Sequence, residues 1–259
     1  MTENMSIEEM RKHEWTISWS GGKDSTATII LCHEYGIPIK EIIYVRMMYD
    51  ENTPATLPIM TEFVDRTIKT FEGWGYKVTV VKSKKTALQI ANTIYKRSKY
   101  NERNGKRYGV SNFGRGFCKF SGVKMDTIKE LSKGEYELIG YACDEIHRLK
   151  VLSETKQSIL VNLGIREEQT YGICNIYNLC SPLYDLGLTR DGCWFCPNIK
   201  KKEIEMLKRD YRHVYDKSID LIEMCDYDLF GFDKINNWYK YYKEIQECGE
   251  QISFNFSEV

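Results

Sequence analysis

The chain has 259 residues, 37 Lys and Arg balanced by 37 Asp and Glu, and 42% hydrophobic residues. At roughly 150 residues per domain this is one large α/β domain, or one domain with an appendage. The balance excludes a disordered chain and a polyanion binder that depends on overall positive charge. Apolar runs as short as Thr28–Cys32 and Ile42–Val45 leave no membrane span, so no membrane partner is expected. Residues 1–14 lack an apolar stretch of the secretory kind. Nine cysteines, an odd number in a chain too large to need disulfide staples, fit a reducing, cytoplasmic setting and leave thiols for metal or redox chemistry.

Taken in chain order, Glu14–Trp19 reads as a short strand that breaks at Ser20-Gly21-Gly22. Asp24–Tyr35 has helical spacing and is ended by Gly36 and Pro38. Ile39–Met47 is a second strand, Thr56–Trp74 a helix and Tyr76–Val81 a third strand. Thr86–Tyr100 and Val123–Leu131 are read as helices, Glu137–Ala142 as a fourth strand and Glu154–Leu163 as another helix. Beyond about residue 165 the pattern gives way to loops, then recovers as helix-rich sequence from Lys200 to Gln246. Strands alternating with long helices predict an α/β, doubly wound parallel sheet with right-handed crossovers. The predicted division is a nucleotide-type domain over 1–165, then a Cys-bearing loop and a helical C-terminal extension over 166–259.

Charge is uneven. Between Lys96 and Lys124 stand nine basic residues and a single acid, Glu102, with Tyr95, Tyr100, Tyr108, Phe113 and Phe117 interleaved. One reading is a solvated helix face and loop. The other is a basic arm that meets a phosphate-bearing acceptor, a nucleotide or nucleic acid, with aromatics for base stacking.

Ser20-Gly21-Gly22-Lys23-Asp24-Ser25-Thr26 joins the first strand to the first long helix. The glycines permit a tight turn and close backbone approach, and the helix start offers unpaired N–H groups and a positive dipole end to an anion. Ser20, Ser25 and Thr26 add hydroxyls and Lys23 a cation. Asp24 would either cap the helix or help hold Mg²⁺. Neither G-x-x-x-x-G-K nor G-x-G-x-x-G is present, which sets aside the Walker loop and the dinucleotide fingerprint.

On these residues the sequence resembles the PP-loop of the adenine nucleotide α-hydrolase superfamily. Three further stretches resemble its phosphoadenylylsulfate (PAPS) reductase-like branch: Phe117-Cys118-Lys119 with Lys124; Gly140 to Arg148; and Ser181-Pro182-Leu183-Tyr184-Asp185 with Arg190-Asp191-Gly192-Cys193-Trp194-Phe195-Cys196-Pro197. The second departs from the branch pattern G-x-R-x-x-E-S-x-R, with Ala142 for Arg and Ile146 for Ser. The resemblance, over roughly residues 15–215, implies the doubly wound fold with an adenine nucleotide at the strand C-termini. It assigns Lys23, Asp24 and Ser25 to catalysis on ATP and Mg²⁺. Nucleotide binding falls to Ser20, Gly21, Gly22, Lys23, Ser25, Thr26, Asp50 and Arg148.

Cys193-x-x-Cys196 can chelate an ion or act as a redox pair. The resemblance joins it to Cys118, and Cys180, then Cys174, are the nearest candidates to complete a four-thiol site for a [4Fe-4S] cluster or Zn²⁺. Three functions follow. The first is an ATP-dependent sulfurtransferase that adenylates an acceptor with release of pyrophosphate, fed by a sulfur donor protein such as a cysteine desulfurase. The second is a sulfonucleotide reductase with Cys248 as nucleophile, although the acidic surroundings of Cys248 disfavour a thiolate. The third is a non-catalytic nucleotide-binding subunit.

Overall fold

The computed structural model describes residues 5–94, 96, 103–113, 125–132, 134–188, 192–226 and 228–256. The elements of the sheet region are α1 (Ile7–Met10), β1 (Trp15–Trp19), α2 (Lys23–Glu34), β2 (Ile39–Arg46), α3 (Pro58–Gly73) and β3 (Val78–Lys82). Further along come α4 (Ala87–Ala91), α5 (Met125–Leu131), β4 (Tyr136–Leu138), β5 (Lys156–Gln157), α6 (Ile159–Asn162) and α7 (Glu167–Ile176). The helices α8 (Lys201–Asp210), α9 (Arg212–Glu223) and α10 (Asn237–Phe256) end the chain. The chain forms two compact units. One gathers Met1–Arg46, Leu57–Ser83 and Lys124–Asp191; the other gathers Met47–Thr56, Lys84–Val123 and Gly192–Val259.

The first unit holds the sheet, in the order β3-β2-β1-β4-β5. Every neighbouring pair is parallel, with Ile17 opposite Ile42 on one side and Leu138 on the other. The order reverses direction between β1 and β4, which makes that gap the topological switch point of a doubly wound sheet. Central strand β1 is buried on both faces, Trp15, Ile17 and Trp19 on one and Thr16 on the other, as expected for a parallel strand covered by helices. Trp19 packs edge-on against Phe71 of α3 with ring centroids 5.2 Å apart. Truncating such a buried aromatic costs about 3–5 kcal/mol.

This unit departs from the sequence pattern in two places. Glu154–Leu163 was expected to be one helix, but Lys156–Gln157 pairs with β4 and only Ile159–Asn162 is helical. The backbone groups of Thr155 and Gln157 accept from Glu137 and Ile139, so the sheet edge claims residues that a helix would otherwise use. The segment after 165, expected to be loop, begins with α7, whose start is fixed by Gln169 Oε1 accepting from the Arg166 amide at 2.8 Å. Residues Lys124–Asp191, which include α7, belong to the sheet unit.

In the second unit α4 is shorter than the expected Thr86–Tyr100 helix. The Thr86–Gln89 capping box starts it, but the Thr93 carbonyl accepts from the Tyr108 amide at 2.8 Å and Ile94 bridges to Arg107. A returning segment thus takes over the backbone before residue 95. Gly109, at φ +50°, lies so close to Cys225 that a Cβ there would be 2.5 Å from its Cα. Trp238 of α10 is buried and donates from Nε1 to the Trp194 carbonyl at 2.9 Å. Among the described residues no helix is long and apolar enough to cross a membrane.

Candidate phosphate-binding loop

The loop between β1 and α2 is built by its own side chains. Gly21 takes φ +86°, a conformation that L side chains resist. Gly22 is the helix N-cap and has no side chain with which to cap. The Ser20 hydroxyl accepts from the Gly22 amide at 3.2 Å and lies 3.0 Å from the Ser25 hydroxyl. Ser25 Oγ in turn accepts from the Ser20 amide at 3.2 Å and donates to the Gly22 carbonyl at 3.1 Å. The two serines therefore close the loop. Thr26 is buried and accepts from the Trp19 indole at 2.9 Å, so its hydroxyl anchors the helix to the strand.

What the loop leaves unspent is the start of α2. The Thr26 amide is paired with the Gly22 carbonyl, and the Lys23 amide donates to the Tyr184 hydroxyl at 3.2 Å. Among the described residues the Asp24 and Ser25 amides have no hydrogen-bond partner. Unpaired first-turn amides and the helix dipole together favour an anion. The loop after β4 meets them: Gly140 lies where a Cβ would be 2.6 Å from the Ser25 nitrogen and 2.7 Å from the Asp24 carbonyl carbon. Only glycine admits so close an approach of two backbones. The two loops that flank the switch point thus touch at the first turn of α2.

Lys23 and Asp24 are held by α7, a partner that sequence reasoning missed. Lys23 Nζ donates to Asp24 Oδ1 at 2.7 Å and to Glu167 Oε1 at 3.1 Å. Burial works against the Lys23 ammonium, but the two carboxylates outweigh it and raise its pKa above the usual lysine value, so it stays charged across the neutral range. The Thr170 hydroxyl, fully buried, donates to Asp24 Oδ1 at 2.7 Å, with the Glu167 carbonyl an alternative acceptor. Asp24 does not cap the helix. Its Oδ2 has no hydrogen-bond partner among the described residues, which suits the expected Mg²⁺: that ion uses one or two carboxylates and takes its other ligands from water and phosphate. No earlier signal marked Glu167 or Thr170, because they stand more than 140 residues from the loop in an unremarkable polar run.

Arg148 follows β4 on the same unit. Its guanidinium lies 4.0 Å from the Tyr141 ring centroid and pairs with Glu145 at 2.6 Å. Burial opposes the charge and Glu145 more than restores it. Glu145 also accepts from the Ala142 amide, so Arg148 is fixed to the loop that carries Gly140.

Asp50 belongs to the second unit, where it closes its own turn. Its carboxylate accepts from the Asn52 and Thr53 amides at 2.9 and 2.7 Å and from the Thr53 hydroxyl. Those bonds, set against partial desolvation, hold its pKa below the ordinary carboxylate value. Cys193 and Cys196 lie in the same unit on a turn closed by the Cys196 amide and the Cys193 carbonyl at 2.9 Å. Trp194 pins that turn, its amide donating to the Ala55 carbonyl at 3.0 Å and its ring lying 4.9 Å from Tyr49.

Of the remaining expected ligands, Cys118 lies outside the described residues, as does most of the basic arm from 96 to 124. Cys180 is in the first unit. Cys174 is buried and donates its thiol to the Lys23 carbonyl at 3.2 Å. Burial, with Cys180 and Asp24 adding to it, pushes that thiol well up, which suits a packing group and not a ligand thiolate. Among the described residues no group of three or more His, Cys, Asp or Glu side chains is arranged to hold a metal ion. A four-thiol site therefore does not fit the described residues alone. Cys248 is exposed on α10.

The sequence matches no family model and no curated protein. Among solved structures, the fold is similar to the U34-tRNA thiolase NcsA from Methanococcus maripaludis with its [4Fe-4S] cluster, with a TM-score of 0.46 and 15% identity over 85% of this chain and 74% of that chain.

Proposed function

We propose that this protein binds an adenine nucleotide at the Ser20–Thr26 loop and uses ATP to adenylate an acceptor, releasing pyrophosphate, before sulfur replaces the activated oxygen. The observation that carries the reading is the first turn of α2. Among the described residues its Asp24 and Ser25 amides are unpaired, Lys23 supplies a retained positive charge beside them, and Gly140 brings the neighbouring switch-point loop against them. This is the place where a doubly wound sheet receives a ligand.

In the proposed reaction an acceptor oxygen attacks the α-phosphorus of ATP, the bond to the bridging oxygen breaks, and pyrophosphate leaves with the electron pair. A sulfur nucleophile then displaces AMP. Lys23 and the α2 amides stabilise charge that builds on the departing phosphates, in a setting where preorganised donors act strongly. Ser20 and Ser25 keep the loop closed so that those donors stay aimed. Asp24 would hold Mg²⁺ through Oδ2; when bound, the ion neutralises phosphate charge and aligns the leaving group.

The acceptor class proposed is a nucleotide or nucleic acid, engaged by the basic segment 96–124, with sulfur brought by a donor protein. For the thiols we keep the set read from the sequence, Cys118, Cys180, Cys193 and Cys196, as the place for a [4Fe-4S] cluster or Zn²⁺, and we route no step through it. The test is product analysis. Full-length protein incubated with ATP, Mg²⁺, sulfide and a panel of tRNA and nucleoside acceptors is expected to form AMP and pyrophosphate. Formation of ADP and phosphate contradicts the reading.

A further inference from the structure

Helix α7 places two polar side chains against the loop from one face. Glu167 and Thr170 are three residues apart, hence neighbours on a helix surface, and they divide the loop's two charges between them. Thr170 takes Asp24 Oδ1 at 2.7 Å and Glu167 takes Lys23 Nζ at 3.1 Å. The start of α7 does not need the Glu167 carboxylate. Its first amide is taken by Asp144 Oδ1 at 3.1 Å, and the Arg166 amide is taken by Gln169. Among the described residues the carboxylate is spent on Lys23 alone.

The two partners of Lys23 are unequal. Asp24 is adjacent in the chain and its side chain is 26% exposed, whereas the Glu167 side chain is 58% exposed. An exposed ion pair is weak and screened by solvent, so the Glu167 contact is the one that an arriving anion can replace. A phosphate oxygen offers Lys23 a charge-assisted bond and takes the α2 amides as well.

On the reading of this loop given above, we infer that Glu167 is a positioning residue that occupies the phosphate's place on Lys23 in the free protein and is displaced when a polyphosphate binds. It holds the Lys23 ammonium at the mouth of the loop, and it sets an electrostatic cost that monoanionic ligands do not overcome. The substrate class this selects is one with two or more linked phosphates, because each added charge repels Glu167 further and gains more from Lys23.

Isothermal titration of the full-length protein with inorganic pyrophosphate, inorganic phosphate and ATP tests this in wild type, Glu167→Gln, Lys23→Ala and the double variant. Glu167→Gln keeps the shape and a hydrogen-bond acceptor but removes the charge. It is expected to tighten binding about fivefold, the scale of losing one exposed ionic competitor, and to narrow the preference for pyrophosphate over phosphate. In the Lys23→Ala background the same change should have no effect. If Glu167→Gln weakens binding, or leaves affinity and preference unchanged, or tightens binding equally without Lys23, the inference fails while the loop keeps its ligand. If the folded wild type binds neither pyrophosphate nor ATP, the reading of the loop itself falls and this inference with it.

Discussion

At the scale of single residues, the loop separates groups that hold its shape from groups that face a ligand. Ser20, Ser25 and Thr26 were all read from the sequence as hydroxyl donors to phosphate, yet each is engaged within the protein. The residue types were legible; their partners were not, because a serine that binds an anion and one that closes a turn look alike in a sequence. Gly140 provides the sharpest residue test. A Cβ at that position meets backbone atoms of Asp24 and Ser25 below 3.0 Å, and backbone cannot rotate away as a side chain can. Gly140→Ala is expected to cost about 1–3 kcal/mol through overpacking and to weaken pyrophosphate binding by shifting the α2 amides. Gly172, exposed within α7 with nothing within 4 Å of its would-be Cβ, is the control. Gly172→Ala should raise stability by about 0.5–1 kcal/mol by reducing backbone entropy in the unfolded chain. Urea denaturation of both variants checks the pair, and equal effects of the same sign would refute the close-approach argument.

At the scale of elements, long periodic segments were readable and short ones set by tertiary pairing were not. The order β1, α2, β2, α3, β3 follows from apolar spacing, since each is long enough for its period to show. Strand β5 is only Lys156–Gln157, two polar residues whose extended form comes from pairing with β4. Helix α7 starts in the polar run Arg166-Glu167-Glu168-Gln169, where no apolar stripe announces it. Beside the local bond from the Arg166 amide to Gln169, its start is capped by Asp144, more than 20 residues earlier, which accepts from the Glu167 amide at 3.1 Å. A cap supplied from a distant loop is invisible to local sequence rules. Asp144→Ala should therefore lower stability by about 1 kcal/mol and speed amide exchange at the start of α7. Asp144→Asn, which keeps an oxygen acceptor, should recover most of the loss. Equal losses in Asn and Ala would show that the Asp144 contact does not support the helix.

At the scale of the whole molecule, the contact units are not successive stretches of chain. The polypeptide passes between them five times, after residues 46, 56, 83, 123 and 191. Neither unit can be excised as one fragment, so the thiol question needs the intact protein. The phosphate loop is in the first unit, and the Cys193–Cys196 turn, fixed through Trp194 to Ala55 and Trp238, is in the second. A metal bound only by the native thiols adds its binding free energy to folding. Anaerobically purified protein is accordingly expected to contain iron or zinc, and a chelator should lower its melting temperature. Cys193→Ser and Cys118→Ser should each abolish the metal and the chelator effect, while Cys174→Ser, whose thiol already donates to the Lys23 carbonyl, should retain both. Visible absorbance separates a cluster from colourless zinc. If neither metal is present and Cys193→Ser leaves the melting temperature unchanged, the four-thiol proposal is wrong, and Trp194 packing alone accounts for the turn.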